Sequence, residues 1–383
     1  MNHHKSSLKV LTIIGTRPEI IRLSRVMALL DEYVNHIIVH TGQNYDYELN
    51  QLFFDDLGIR KPDYFLEVDT SSLGKVLGET IIKSEEVFIK EKPDAVLILG
   101  DTNSSIAGIM AKRLKIPIYH MEAGNRCFDL NVPEEINRRI IDHTADFNLV
   151  YTEHARRHLL SEGLPHRRIY LTGSPLYEVL MYYKDKIDRS AILDQLKLQS
   201  NNYFVVSTHR EENVDSPENL TKILSVLNGL ARDYKVPVIV STHPRTRKRL
   251  EAMTDILIDP HIKFLKPFGF FEYVHLQQHA LCTISDSGTI SEESAILNFP
   301  AITLRNSMER PEGLDAGTIM LTGFDYGIVM DSIALVIDEF SKLVDTKIPI
   351  EYQIPNTSWR VLKLILGTSK LSRLWDGTRK SNN

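Results

Sequence analysis

Ala280-Leu-Cys-Thr-Ile-Ser-Asp-Ser-Gly-Thr-Ile-Ser-Glu-Glu293 runs from an apolar segment through a small-residue turn into a helical pattern. Residues 280–284 have the length and composition of a buried strand. Ser287 and Gly288 are expected at the start of the following helix. Free backbone N–H groups and the positive end of a helix dipole would suit a phosphate there. Glu293, further along, is expected to face the same crevice and accept hydrogen bonds from sugar hydroxyls. An ordinary capped strand–helix junction has the same composition. The stretch therefore speaks first to fold: strand, turn and helix in succession form one unit of a parallel α/β sheet.

The same alternation extends outward in both directions. Strands are expected at 8–14, 36–40, 95–99, 118–121, 147–151 and 169–172 in the first half, and at 203–207, 236–241, 262–265, 281–285 and 301–304 in the second. Helical patterns fill the gaps, as at 19–30, 104–114 and 134–143. Continuous β-branched runs between helices indicate parallel strands covered on both faces. Residues 182–202, rich in Lys, Asp and Asn, read as a connecting segment. The expectation is an α/β protein of two doubly wound Rossmann-like domains, 1–182 and 183–356, facing each other across a cleft. A helix in 357–383 is expected to pack back on the first domain. Ligands of such sheets sit at the carboxyl ends of the strands.

Composition excludes several classes. The chain has 383 residues, 43% hydrophobic and 25% charged, with a net charge of −5. That balance suits a soluble globular protein and gives no sign of a nucleic-acid or membrane-surface binder. The two cysteines, Cys127 and Cys282, have no metal or disulfide spacing. No apolar run approaches the roughly 18 residues of a membrane span, and no signal peptide precedes the first strand. A cytoplasmic enzyme is expected.

The chemistry-bearing residues fall at strand ends. Gly15-Thr-Arg-Pro-Glu19 closes the first strand. Gly15 permits a tight turn there, Arg17 is placed to bind phosphate bidentately, and Arg22 lies one helical turn on. Asp101 ends the strand at 95–99 and Glu122 the strand at 118–121. Glu134 and Glu135 open a helix that also carries Arg138. Acidic residues in a first turn ordinarily compensate the dipole, and Glu135 is read as doing only that. Three carboxylates at one mouth are expected to repel one another, holding one or two protonated for general acid–base work. His209 and His243 end two strands of the second half, and Tyr273 is placed to stack on a base. No Asp-x-Asp, GxGxxG or GxxxxGK[ST] occurs. No metal and no cofactor are expected, a diphosphate being neutralised by Arg17, Arg22, Arg310, His209 and the Ser287 turn.

Taken in order, GTRPE (15–19), GDT (100–102), HMEAG (120–124), PEEINR (133–138), HREEN (209–213), SDSG (285–288), EE (292–293) and ERPE (309–312) resemble the non-hydrolysing UDP-N-acetylglucosamine 2-epimerase family. The resemblance covers residues 9–323. It implies the two-domain GT-B fold and anti elimination of UDP across C1–C2 to a bound 2-acetamidoglycal, followed by re-addition. Carried over by motif, Asp101, Glu122, Glu134 and His209 are catalytic candidates. Arg17, Arg22, Arg138, Tyr273, Ser287, Gly288, Glu293 and Arg310 are candidates for binding UDP or the sugar. Gln43 and His243 fall in the region where some bacterial members bind an activating nucleotide sugar. The partner implied is a UDP-activated amino sugar, and the assembly implied is a homodimer.

Three departures bear on the sugar: Arg22 in place of a usual Lys, a short loop between Gly124 and Pro133, and Gly-Thr-Ile-Ser-Glu-Glu after the SDSG strand end. They resemble the branch that epimerises UDP-2-acetamido-2,6-dideoxy-L-talose to UDP-N-acetyl-L-fucosamine. The alternatives are UDP-GlcNAc/UDP-ManNAc 2-epimerisation, a hydrolysing relative, a GT-B glycosyltransferase and a non-catalytic nucleotide-sugar sensor.

Overall fold

The computed structural model describes residues 5–42, 53–251, 257–342, 348–375 and 377. The chain divides into unit 1, Met1–Leu180 with Gln353–Asn383, and unit 2, Met181–Tyr352.

Unit 1 contains β1 (Lys9–Ile14), β2 (Asn35–His40), β3 (Tyr64–Phe65), β4 (Ala95–Leu99), β5 (Ile118–Met121), β6 (Phe147–Val150) and β7 (Ile169–Leu171). They form one sheet in the order β3-β2-β1-β4-β5-β6-β7, every pair parallel. Every residue of β4, β5 and β6 is buried, as expected where helices cover both faces. Leu73–Glu91, Ala107–Arg113 and Glu134–Thr144 pack side by side, and Arg17–Tyr33 packs against the last helix, Thr357–Trp375. That last helix is tied to unit 1 by Thr357 Oγ1 donating to Thr172 O at 3.2 Å and by Ser358 N–H donating to Glu178 at 2.8 Å. Tyr33 and Trp359 meet edge to face at 5.3 Å.

Unit 2 contains β8 (Phe204–Ser207), β9 (Val238–Ser241), β10 (Ile262–Leu265), β11 (Cys282–Ser285), β12 (Ala301–Thr303) and β13 (Met320–Leu321), all parallel, in the order β10-β9-β8-β11-β12-β13. The helix Pro217–Tyr234 is capped by Ser216, whose side chain accepts from Asn219 N–H. It buries Leu220, Ile223, Leu224, Leu227 and Leu230 over the sheet. Burial of such a side chain contributes roughly 1.5–3 kcal/mol, so this stripe fixes the helix to the strands. In both units the strand order reverses beside the first strand, between β1 and β4 and between β8 and β11. Ligands of doubly wound sheets bind at such a reversal.

Two expectations are corrected, and two short strands were not foreseen. Residues 182–202 are not simply a connection, because Lys184–Asp188 and Ile192–Leu196 are helices that bury Ile187 and Ile192. The helix after β11 opens at Ile290 rather than at Ser287, with Thr289 as its cap residue. The two-residue strands β3 and β13 were too short to leave a periodic signal.

Candidate active site

At the carboxyl end of β1, Glu19 turns back on its own loop. Its Oε2 accepts from the N–H groups of Gly15 at 2.8 Å and Thr16 at 2.6 Å, and its Oε1 accepts from the hydroxyls of Thr102 and Ser104. This capping box starts the helix Arg17–Tyr33 and at the same time binds the β1 loop to the β4 loop. Burial raises the Glu19 carboxyl above its ordinary value, against the pull of these donors. Gly15 does not adopt a positive φ, so the tight-turn reading is corrected: the carboxylate shapes the loop.

The β4 loop presents Asp101 and the β5 loop presents Glu122. Main-chain pairing brings them together, since Leu99 lies opposite Met121 and Gly100 N–H donates to Met121 O at 3.0 Å. His120 Nε2 lies 2.9 Å from Gly100 O and ties the two loops from beneath. Glu122 adopts φ +65°, a left-handed backbone that costs a non-glycine residue on the order of 1–2 kcal/mol. The surrounding structure imposes it. The following Gly124 takes φ +83° and donates its N–H to both oxygens of buried Asp142 at 3.2 Å. Asp142 in turn receives buried Arg126 at 2.7 Å. Backbone strain held in place by its surroundings clusters at active sites.

Two of the three candidate carboxylates are paired with buried guanidinium groups. Glu122 receives Arg22 Nη1 at 2.5 Å, and Asp101 Oδ2 receives Arg138 Nε and Nη2 at 3.0 and 2.7 Å. Glu122 and Asp101 thus each face a separate guanidinium. Arg22 and Arg138 are both buried, and their cationic groups orient the protein's own acids. Glu134 is half-buried as the first residue of the helix Glu134–Thr144. Arg17 opens its helix with its guanidinium 5.1 Å from the centre of the Phe53 ring. Glu135 is not a solvated dipole partner. It is completely buried, pairs with Arg138 and Arg139, and accepts from Cys127 N–H at 3.1 Å.

Unit 2 is organised around Asp286, which ends β11. Register sets Ser207 opposite Ser285, so the β8 and β11 loops lie side by side. The buried Asp286 carboxylate accepts from the N–H groups of His209 and Arg210 at 3.0 Å each and from Asn213 Nδ2 at 2.9 Å. His209 Nδ1 lies 3.2 Å away, and the rest of that ring remains about half exposed. Burial alone would push the Asp286 carboxyl up, but the His209 ring and these donors hold it down at about 2.

Ser287 and Gly288 occupy the turn between Asp286 and the helix Ile290–Leu297, with the Ser287 hydroxyl 3.0 Å from that of Thr289. Arg210 bridges Asp286 O and Glu309, and Glu309 also pairs with Arg305. Arg310 pairs with buried Glu292, which modifies its expected role as a cation for a diphosphate. Glu293 accepts from Gln277 Nε2 at 2.8 Å. Tyr273 packs on the core beneath the β8 end. Burial and the nearby Glu293 push its hydroxyl up, while the side chains of Ser207 and Ser285 pull it down.

His243 stands exposed at the end of β9, and Gln43 lies outside the described residues. Among the described residues no group of three or more His, Cys, Asp or Glu side chains is placed to hold a metal ion, and no helix is long and apolar enough to cross a membrane. Sequence reasoning missed Glu19, Glu135, Asp142, Asp286 and Arg210. All but Asp142 sit inside quoted motifs, so the signal was present without the pairing that gives it meaning.

Two parallel-sheet α/β units of this kind, carrying acids at the strand ends of one and a histidine with a buried aspartate at the strand ends of the other, define a GT-B-like nucleotide-sugar enzyme. The family profile described as UDP-N-acetylglucosamine 2-epimerase matches residues 28–366, and the chain belongs to that family. It is a carbohydrate isomerase acting at C2 of a UDP-sugar. It is similar to the UDP-N-acetylglucosamine 2-epimerase structure from Rickettsia bellii, with 48% identity and a TM-score of 0.90 over 97% of this chain and 100% of that one. It is similar also to the Methanocaldococcus jannaschii UDP-GlcNAc 2-epimerase in complex with UDP-GlcNAc and UDP, with 31% identity and a TM-score of 0.86 over 94% and 100%. A Pseudomonas aeruginosa UDP-2,3-diacetamido-2,3-dideoxy-D-glucuronate 2-epimerase is 34% identical over 85% of this chain and 91% of its own length.

Proposed function

We propose that this enzyme interconverts UDP-2-acetamido-2,6-dideoxy-L-talose and UDP-N-acetyl-L-fucosamine, supplying a surface polysaccharide such as capsule or O-antigen. Unit 1 supplies the proton transfers. Asp101, Glu122 and Glu134 remove the C2 proton and return one to the opposite face as UDP leaves C1 and adds back. Unit 2 holds the UDP through His209, the Ser287–Gly288 turn, Glu293 and Arg310, with Tyr273 packed behind them. The observation that carries the reading is Glu122, held half-buried in a left-handed backbone and oriented by a buried arginine. Elimination needs a base fixed before the substrate arrives, and oriented, charge-assisted carboxylates meet that need.

The L-sugar is favoured by Arg22, by the short 125–132 loop and by the Gly-Thr-Ile-Ser-Glu-Glu segment. A second reading, UDP-GlcNAc/UDP-ManNAc 2-epimerisation, is favoured by the relatives' names. A glycosyltransferase or a sensor is a weaker reading, because neither calls for acids held in strained geometry. The enzyme works in the cytoplasm as a homodimer, and His243 with Gln43 belongs to an activator region.

Proton NMR in D2O tests the substrate. Deuterium is expected at C2 of an epimerised L-sugar, with UDP-GlcNAc untouched. Exchange with UDP-GlcNAc alone would replace the L-sugar by the second reading, and exchange with neither would remove both substrates.

A further inference from the structure

We propose that Glu135 is a positioning residue for this chemistry, holding Arg138 and through it the Asp101 carboxylate. The proposal rests on the reading of Asp101 as an acid–base group. Glu135 is the second residue of its helix and is completely buried, where a residue that merely balances the dipole would face water. Its two oxygens have separate tasks. Oε2 accepts from Cys127 N–H at 3.1 Å, Cys127 Sγ at 3.3 Å and Arg138 Nη1 at 3.0 Å. Oε1 accepts from Arg139 Nε at 3.1 Å and Nη2 at 2.9 Å.

Arg138 then presents its other N–H groups, Nε and Nη2, to Asp101 Oδ2. A guanidinium is flat and rigid, so fixing Nη1 on one carboxylate sets the direction of the groups facing the other. Glu135 also holds the backbone of Cys127, which lies in the loop between Glu122 and Glu134. One buried anion thereby fixes two walls of the candidate site. Burial pushes the Glu135 carboxyl up, but the Cys127 N–H and the two arginines outweigh it and keep it below the usual range. It remains an anion that can hold the guanidinium.

The test is a split between turnover and binding in the full-length protein. Glu135→Gln keeps the volume but replaces one acceptor oxygen with a donor. Its kcat and its rate of C2 deuterium exchange are expected to fall together by about 10- to 100-fold, the scale of a catalytic group displaced by a fraction of an ångström to an ångström. KM for the UDP-sugar and Kd for UDP are expected to stay within about twofold. Arg139→Gln, which touches only Oε1 and whose side chain is about half exposed, is expected to leave kcat within about twofold.

Should Glu135→Gln fail to fold, Glu135→Asp carries the same test, because a carboxylate one methylene shorter keeps the charge but cannot reach Cys127 N–H and Arg138 Nη1 together. Wild-type turnover in Glu135→Gln overturns the positioning role alone. An equal loss in Glu135→Gln and Arg139→Gln, accompanied by lowered melting, reduces Glu135 to a structural residue. Absence of C2 exchange in the wild-type protein with every UDP-2-acetamido sugar overturns the reaction and the proposal with it.

Discussion

Replacing Asp286 by asparagine should weaken unit 2 by about 3 kcal/mol at pH 7 and make that deficit depend on pH. The Asp286 carboxyl moves from its ordinary value of 3.8 to about 2 in the folded protein, where the His209 ring and donors from His209, Arg210 and Asn213 overcome the cost of burial. A carboxyl shifted by that amount contributes about 2 kcal/mol once fully ionised. The folded value is the lower one, so this contribution is complete above about pH 4 or 5 and is lost as pH falls through about 2. Roughly half of it is already gone by pH 3. Asparagine removes the charge and one acceptor oxygen, leaving a donor from His209, Arg210 or Asn213 short of a partner, which adds about 1 kcal/mol at any pH.

Urea unfolding of wild type and Asp286→Asn, followed at pH 7, 5, 4 and 3, measures both parts. The expected deficit is constant from pH 7 to 5 and narrows by about 1 kcal/mol at pH 3. A deficit independent of pH would refute the claim that the ionised carboxylate organises the β8 and β11 ends. A deficit that widens at low pH would reverse the sign of the linkage.

Glu122→Gln is expected to reduce epimerisation by about 10²- to 10⁴-fold while UDP still binds, measured by coupled turnover and calorimetry; near-wild-type turnover would remove Glu122 from the proton transfers. Gly124→Ala is expected to destabilise unit 1 by at least about 2 kcal/mol in thermal melts, since the added Cβ would stand 2.4 Å from Ala155 O at a φ of +83°. A melting point equal to wild type would show that the β5 turn is not held as described. Turnover is expected to be insensitive to EDTA, since among the described residues no group of three or more His, Cys, Asp or Glu side chains is placed to hold a metal ion. A loss restored by magnesium would refute this.

Much of the fold was legible because buried parallel strands leave continuous apolar runs, and the long helices between them leave a 3.6-residue period. Edge strands of two residues leave neither, and Tyr64–Phe65 and Met320–Leu321 passed unseen. Motif positions were legible too, but what each charge faces was not. Glu135 looked like any acid in a first helical turn until Cys127 and Arg138 were found on the same oxygen.

By itself, the sequence determined two alternating α/β halves, the acids and histidines at strand ends, and the family to which those motifs belong. Those features are local, written in runs of a few residues. Only the tertiary structure decided the partners. Arg22 reaches Glu122 across 100 residues, Arg138 reaches Asp101 across 37, and Asp286 gathers donors from a loop 77 residues earlier. Those pairings follow from strand order and register, which bring distant loop ends together at the carboxyl end of each sheet. The long-range burial that sets that register has no counterpart in any short stretch of the chain.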